Sequence, residues 1–285
     1  MLVDTKPTTF DELIRISGLS HGTDVWLGNA QSLIEQGTVT LTEAICCRDD
    51  IMIYLIKQGL PPNPSFKIME TVRKGKALKD PAKWAEYVAL MKEHNVPDWY
   101  IKSCEKIKYM FPKAHAAAYV TNAFRIAWFK VHIPLAYYAA YYTIRAKAFD
   151  AEVMINGKEK VKNKMKEIDM MGNNATPKDK DMYDDLEIVL EMYERGLRFL
   201  PIDLYKSHAT KFQVEGDCLR PPLNSIAGLG NVAAESIMNA RKDEKFMSID
   251  DMKIRAKIGD SVTELLKQFG CLEGMSQSNQ LSLFG

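Results

Sequence analysis

Residues 118–146, "AYVTNAFRIAWFKVHIPLAYYAAYYTIRA", form the most apolar stretch of the chain and decide the fold class. Pro134 divides the stretch, because proline lacks the amide that an inner helical turn needs. An aromatic second helix is expected after it, and we predict that both helices form the core of the first domain. In the first half, apolar side chains recur at the 3.6-residue period of a helix: Val120, Ala123, Phe124, Ala127, Trp128 and Val131.

Helix signals continue on both sides of this stretch. Thr9 with Glu12, and Thr40 with Glu43, have the spacing of a capping box. The second box predicts a long helix, "LTEAICCRDDIMIYLIKQ", that Gly59 ends. Other predicted helices start at Pro81, at Pro97 (running to "YMFPKAH"), in the lysine-rich residues 151–171 and at Thr176.

The pattern changes after Gly196. "KFQVEGDCLRPPL" alternates in polarity around a Gly-Asp pair, which predicts a short β-hairpin. We place a domain boundary near residue 200. The predicted organisation is mainly α: a helical region over residues 1–199, a small helical domain over 200–272 and a flexible tail over 273–285.

Composition is that of an ordinary globular protein, with 46% hydrophobic and 26% charged residues in a chain of 285. No apolar run approaches the length of a membrane span, and the N-terminus does not resemble a signal peptide. The five cysteines have no metal-ligand spacing, so we expect free thiols, no metal site and a cytoplasmic location. A net charge of +1 does not indicate nucleic-acid binding, which must be argued from local motifs.

One local motif is "NSIAGLGNVAAESIMNAR", residues 224–241. It resembles the helix-hairpin-helix motif, in which Gly228 and Gly230 let a backbone phosphate approach and Leu229 fills the space between the helices. Amides from Asn231 onward, at a helix N-terminus, are then expected to donate to DNA phosphates without reading sequence. The alternative interpretation is a glycine-rich helix connection that binds nothing.

A second, weaker copy follows in residues 248–272, "SIDDMKIRAKIGDSVTELLKQFGCL". It has one glycine where the first copy has two, so the sequence leaves its phosphate contact open. Asp250 and Asp251 lie where base-excision glycosylases with this hairpin carry a catalytic aspartate. However, "SIDDM" is also typical of a helix start, where aspartate is favoured by capping alone.

A further motif is "YMFPKAHAAAYV", residues 109–120, together with "GLSHGTDVWLGNAQ" near the start of the chain. Lys113, His115 and Tyr119 gather at a predicted helix start, and Arg125 lies further along. A cation, an imidazole, an aromatic face and a positive helix end suit a triphosphate and a base. The alternative is a capped core helix with incidental polar residues.

These motifs, with "CRDDIM" and "PLAYYAAYYTIRA", resemble the fingers of the C-family replicative DNA polymerases, of the Gram-positive type. The resemblance covers nearly the whole chain. It implies a DNA-directed DNA polymerase that acts on primer-template DNA and deoxynucleoside triphosphates within a replicative holoenzyme. The residues that it places on the nucleotide and template side are Arg48, Lys113, His115, Tyr119, Arg125 and His21, with Thr23 and Asp24 beside them.

In that family the catalytic palm, whose aspartates hold Mg²⁺, precedes the fingers. The resemblance therefore implies a C-terminal piece, inactive alone, with no catalytic residue and no bound metal. The acidic pairs in "CRDDIM", "MYDDLE" and "SIDDM" fit capping better than a metal site. The alternative is a non-enzymatic, clamp-tethered DNA-binding protein that is complete at this length.

The end of the chain, "QLSLF", resembles the pentapeptide by which bacterial replication proteins bind the sliding clamp. Gln280 is expected to hydrogen-bond at the rim of the clamp pocket. Leu281, Leu283 and Phe284 are expected to fill its hydrophobic subsites, while Ser282 points away. The other possibilities are a chance apolar tail and a tail that packs on its own domain.

Overall fold

The computed structural model describes residues 1–278, and within that range the chain forms fifteen α-helices and one three-stranded sheet. The mainly α fold is thereby confirmed. The backbone packs as two compact units, residues 1–125 and residues 126 onward. The motif at Gln280–Phe284 lies outside the described residues. No helix within residues 1–278 combines the length and the apolar character needed to cross a bilayer.

Three helices of the first unit begin at or beside the signals predicted from sequence, at Thr9, Pro81 and Pro97. The Glu12 amide donates to the Thr9 hydroxyl over 3.3 Å, and the Glu12 carboxylate accepts the Thr9 amide over 2.9 Å, which confirms the first capping box. The helices are α1 Leu2–Thr5, α2 Phe10–His21, α3 Gln31–Glu35, α4 Arg48–Lys57, α5 Pro62–Arg73, α6 Pro81–Glu93, α7 Asp98–Lys106 and α8 Lys113–His132, whose end belongs to the second unit.

The core of the first unit holds the "GLSHGTDVWLGNAQ" segment in place. The Ser103 hydroxyl donates to Asn29 Oδ1 over 2.7 Å, and Asn29 Nδ2 donates to the Ser103 carbonyl over 3.2 Å. Both residues are buried, so each polar group needs the other. The segment also forms an isolated antiparallel bridge between Thr23 and Tyr109. These contacts fix the end of α2, where His21 lies.

The predicted helix over "LTEAICCRDDIMIYLIKQ" starts too early. The Thr40 amide does donate to the Glu43 carboxylate over 2.8 Å, but this bond closes a turn. The Asp50 carboxylate accepts the amides of Cys46 and Cys47, over 3.2 and 2.8 Å. That competing cap sets the start of α4 at Arg48.

The helix predicted to run from Pro97 to "YMFPKAH" is also wrong in extent, because α7 ends at Lys106. Ile107 and Met110 leave the helix and enter the core. Pro112 disfavours a helical conformation at Phe111. The chain between α7 and α8 is therefore an extended segment, and α8 begins at Lys113.

The second unit combines helices with a small sheet, in the order β1-β3-β2. The predicted hairpin is confirmed as β2 and β3, which pair antiparallel across Gly216. No local pattern indicated β1, which pairs parallel to β3. The elements are α9 Pro134–Ile144, α10 Ala151–Met154, α11 Lys158–Met171, α12 Pro177–Glu194, β1 Arg198–Phe199, β2 Gln213–Glu215, β3 Cys218–Arg220, α13 Asn231–Ala240, α14 Ile249–Ala256 and α15 Asp260–Gln268.

The prediction that both helices of the 118–146 stretch form a core is half wrong. Tyr138 and Tyr142 of α9 are buried, as predicted. On α8, however, Trp128 is 48% exposed and Val131 is 65% exposed. Apolar residues occur on every side of α8, so its period did not select a single buried face. Ala116 is the only buried residue of α8, which lies wholly within the described range.

Replacement of Asp185 should be among the most destabilising substitutions in the second unit. Its carboxylate accepts the amides of Lys147 and Ala148, over 3.0 and 2.8 Å, and so fixes the turn after α9. Asp185→Ala leaves both amides without this partner, and we expect unfolding to become easier by about 2–3 kcal/mol. Denaturant unfolding measures the change. Asp184→Ala, at an exposed neighbour, should stay within about 0.5 kcal/mol; equal effects would contradict the assignment.

Candidate functional site

Four rings from three parts of the first unit meet at the start of α8. The centroid of His21 lies 5.1 Å from that of Phe111, Phe111 lies 4.8 Å from His115, and His115 lies 4.6 Å from Tyr119. We call these four residues the ring row. His21, His115 and Tyr119 are exposed, so their rings are accessible to a ligand. The structure thus places His21, from a separate segment, in one row with His115 and Tyr119, which the sequence already grouped at a helix start.

Charged groups surround the ring row at the N-terminus of α8. The Lys113 ammonium lies 3.2 Å from Asp11 Oδ1, and the Lys113 amide donates to Asp49 Oδ2 over 2.7 Å. Arg48 lies beside them, because its amide donates to the Phe111 carbonyl over 3.1 Å. Its guanidinium Nε is 3.9 Å from Asp49 Oδ2 and makes no hydrogen bond among the described residues.

The two carboxylates hold these cations in place. Asp11 binds Arg15 Nε over 2.8 Å as well as Lys113, and the Arg15 bond is the main reason that the pKa of Asp11 lies below its ordinary value. Asp49 occupies one amide of the first turn of α8 and leaves those of Ala114 and His115 without a hydrogen-bond partner among residues 1–278. The start of α8 therefore keeps two amide donors available beside Lys113.

A cavity of about 660 Å³ opens beside these charges in the same unit. Its polar lining includes Arg15, Lys57 and Lys113 on the cationic side and Asp50 on the anionic side. Apolar and aromatic side chains, among them Val39, Tyr54 and Trp99, complete the lining.

Other predicted residues of this group do not join the ring row. Arg125 lies ten residues after His115 on α8, about 15 Å along the helix axis. The Thr23 amide and carbonyl bond to the segment at Tyr109, and the Asp24 carboxylate binds Lys108 Nζ over 2.6 Å. Thr23 and Asp24 therefore tie the chain after α2 to the segment at Lys108 and Tyr109.

The second candidate site is the turn before α13. Gly228 has φ of 90°, a conformation that glycine adopts without strain, and Leu229 is 3% exposed beneath the turn. Gly230 is the N-cap of α13 and offers no side chain to the helix. The structure thus reproduces the geometry that the sequence predicts for a phosphate-binding hairpin.

The N-terminus of α13 presents free donors. The amides of residues 230–233 donate no hydrogen bond within the described part of the chain. By contrast, Ser248 at the start of α14 accepts the Asp251 amide over 3.1 Å. An uncapped helix start at an exposed turn leaves its amides for solvent or for an anion.

One aspartate of each acidic pair accepts backbone amides within the fold. Asp251 Oδ2 accepts the Met247 amide over 3.0 Å and binds Arg255 over 3.2 Å, which supports capping rather than a glycosylase aspartate. Asp50 and Asp185 likewise accept backbone amides. Among residues 1–278, no three side chains of the metal-ligating types come together.

Sequence reasoning missed Phe111 and the carboxylates of Asp11 and Asp49. Phe111 stands inside the quoted "YMFPKAH" segment. Its place directly before Pro112 was the one sequence signal that could have drawn attention to it. Asp11 and Asp49 gave none, because aspartate in a first helical turn is explained by capping alone.

Comparison with known families covers the second candidate site and, of the first, only the part that lies before residue 96, which includes His21 and Arg48. Residues 1–95 match the bacterial DNA polymerase III alpha subunit finger domain, and residues 196–281 match a helix-hairpin-helix motif. Over its whole length the chain is 56% identical to the DNA polymerase III PolC-type of Caldanaerobacter subterraneus. The chain is similar to part of a PolC-type DNA polymerase III.

Other PolC-type relatives give the same result. Identity is 57% to the PolC-type protein of Bacillus subtilis over 284 residues and 56% to that of Clostridium perfringens over 285 residues. In each case all of the chain is matched. The chain spans about a fifth of the length of these PolC-type relatives, 19–20%.

Proposed function

We propose that the chain contributes the fingers and a duplex-binding domain to a PolC-type, C-family DNA-directed DNA polymerase. The observation that carries this proposal is the 56–57% identity to PolC-type polymerases along the whole chain. In this proposal the chain acts on primer-template DNA with deoxynucleoside triphosphates, as part of a replicative assembly in the cytoplasm. In this proposal Mg²⁺ is held by a palm outside this chain, and Asp50 and Asp185 serve the fold by accepting backbone amides.

The proposal assigns the nucleotide side to the ring row and the N-terminus of α8. Lys113 and the free amides of Ala114 and His115 offer donors to a triphosphate, while the exposed Tyr119 ring offers a stacking face. Arg48, with a guanidinium Nε that makes no hydrogen bond among the described residues, adds a further cation. Arg125, about 15 Å along α8 by helical rise, would reach the template rather than the same nucleotide.

The hairpin at Gly228–Asn231 is assigned to the duplex backbone. Residues 196–278 carry eleven Lys and Arg residues and eleven Asp and Glu residues, so the net charge of this region is zero. Overall electrostatic attraction therefore contributes little, and the free amides at Gly230 and beyond must supply the contact. The binding should not depend on base sequence.

The tail motif at Gln280–Phe284 is assigned to the sliding clamp. This step rests on the sequence "QLSLF" after a polar stretch, since the motif lies outside the described residues. A short peptide with apolar anchors loses conformational freedom on binding, so its affinity alone should be modest. Tethering to a polymerase on DNA raises its effective concentration.

The alternative is a non-enzymatic, clamp-tethered DNA-binding protein. The similarity of residues 1–95 to a polymerase finger domain favours the polymerase, because duplex and clamp binding do not need fingers. Reading the gene upstream of Met1 tests the choice. A frame that continues into a region with paired aspartates supports the polymerase, and a start signal at Met1 with no such region contradicts it.

Lys113→Ala and His115→Ala should impair nucleotide use more than DNA binding. Each change removes a charged or polar partner of a triphosphate, worth roughly 1.5–3 kcal/mol, or about tenfold or more in the Michaelis constant for nucleotide. Steady-state primer extension measures it in a polymerase that includes this chain. Lys79→Ala, at an exposed loop position, is the charge-matched control. Wild-type nucleotide dependence in both site variants would refute the assignment.

A further inference from the structure

The turn at residues 257–259 has the same backbone form as the turn at residues 228–230. Lys257 has φ of 51°, in the left-handed region that Gly228 also occupies. Ile258 is 8% exposed, which matches the burial of Leu229. Both turns end in a glycine N-cap with extended backbone: φ and ψ are −72° and 161° at Gly230, and −88° and 178° at Gly259. The second turn therefore repeats the first in its left-handed residue, its buried middle residue and its glycine N-cap.

The second copy also leaves its helix start open. The amides of residues 259–262 donate no hydrogen bond among the described residues, and Gly259 offers no capping side chain. Space is available at both glycines, since a Cβ added at Gly230 or at Gly259 would meet nothing within 4 Å. Loop geometry alone therefore does not distinguish the two turns.

The distinction lies in the first helical residue. Asn231 opens α13, and its neutral amide side chain binds Asn224 Nδ2 over 2.9 Å. Asp260 opens α15, with a side chain that is 93% exposed at the place where an anion would approach. Its carboxylate binds Lys253 Nζ over 2.5 Å, and this bond lowers the pKa of Asp260 below its ordinary value. Asp260 therefore stays negatively charged and forms an ion pair with Lys253.

We propose that Asp260 excludes phosphate from the second hairpin, so that the pair of hairpins holds a duplex by the first hairpin alone. Two effects act in the same direction. A carboxylate repels a phosphate at the same helix start, and it also neutralises Lys253, which would otherwise attract one. The proposal rests on the proposed duplex binding and adds that the two hairpins have unequal roles.

Duplex binding by the full chain tests the proposal, with a short mixed-sequence DNA duplex at low and moderate salt. Asp260→Asn should tighten binding about threefold to tenfold at low salt, and the gain should shrink as salt rises. Glu264→Gln, one helical turn later and equally a loss of one negative charge, should change affinity less than twofold. Lys253→Met should weaken binding, because it leaves the Asp260 charge uncompensated.

The outcomes separate this proposal from duplex binding itself. If Gly230→Val weakens binding but Asp260→Asn changes it no more than Glu264→Gln does, the unequal roles are refuted and duplex binding stands. If neither Gly230→Val nor Asp260→Asn alters binding, both proposals fall. Circular dichroism and thermal unfolding of each variant confirm that the helices remain folded.

Discussion

Gly230→Val is expected to weaken duplex binding by about tenfold or more while the protein stays folded. Gly230 adopts φ of −72° and ψ of 161°, which valine tolerates, and a Cβ there meets no protein atom within 4 Å. The isopropyl group would instead occupy the space through which a phosphate reaches the free amides. Loss of even one hydrogen bond to a charged acceptor costs roughly 1.5–3 kcal/mol.

Gly259→Val is the matched control for this experiment. Gly259 also caps a helix in extended conformation and also faces open space. Since Asp260 stands at the second helix start, this variant should bind a duplex nearly as well as the wild type. Fluorescence anisotropy across a range of salt measures both variants. Unchanged affinity in a folded Gly230→Val protein would favour the interpretation of a glycine-rich connection that binds nothing.

Replacement of both Leu283 and Phe284 by alanine is expected to abolish detectable binding to a bacterial sliding clamp. Burial of each side chain contributes about 1.5–3 kcal/mol before the ordering cost, so losing both should weaken the contact by about a hundredfold or more. Calorimetric titration with purified clamp measures the change. Duplex binding through Gly230 should be unaffected, because it uses a separate part of the chain.

Ser282→Ala supplies the control for the tail. In an extended peptide, side chains alternate in direction, so Ser282 should point away from the subsites filled by its neighbours. Its replacement should change clamp affinity less than twofold. If the double alanine variant binds clamp like the wild type, the clamp assignment is wrong. If that variant loses duplex binding as well, the tail must instead pack on its own domain.

Local sequence signals predicted the secondary structure correctly in most segments that contain a single capping or turn signal. The Thr9 capping box and the hairpin across Gly216 were correct because their partners lie within a few residues. The start of α4 was wrong because two caps, at Thr40 and at Asp50, compete for the same segment, and sequence does not rank them. Strand β1 was missed because its pairing with β3 joins residues twenty positions apart.

The candidate sites were predictable to different degrees. The first hairpin was recognisable because Gly228 and Gly230 stand together at a turn, where only glycine combines free backbone conformation with an open approach. The ring row was only partly recognisable, since contact between His21 and Phe111 depends on tertiary packing across ninety residues. The exposure of Trp128 could not be foreseen either, because an apolar helix with no polar face gives no direction for burial.

The uncapped start of α13 has a consequence for thermostability engineering. Glycine is a slightly poorer N-cap than serine or aspartate, so Gly230→Asp is a natural candidate for stabilisation, worth roughly a few tenths of a kcal/mol. The new carboxylate would accept the same amides that a phosphate needs. Gains in melting temperature at this position would therefore come at the expense of DNA affinity, and a screen for heat resistance alone would select against binding.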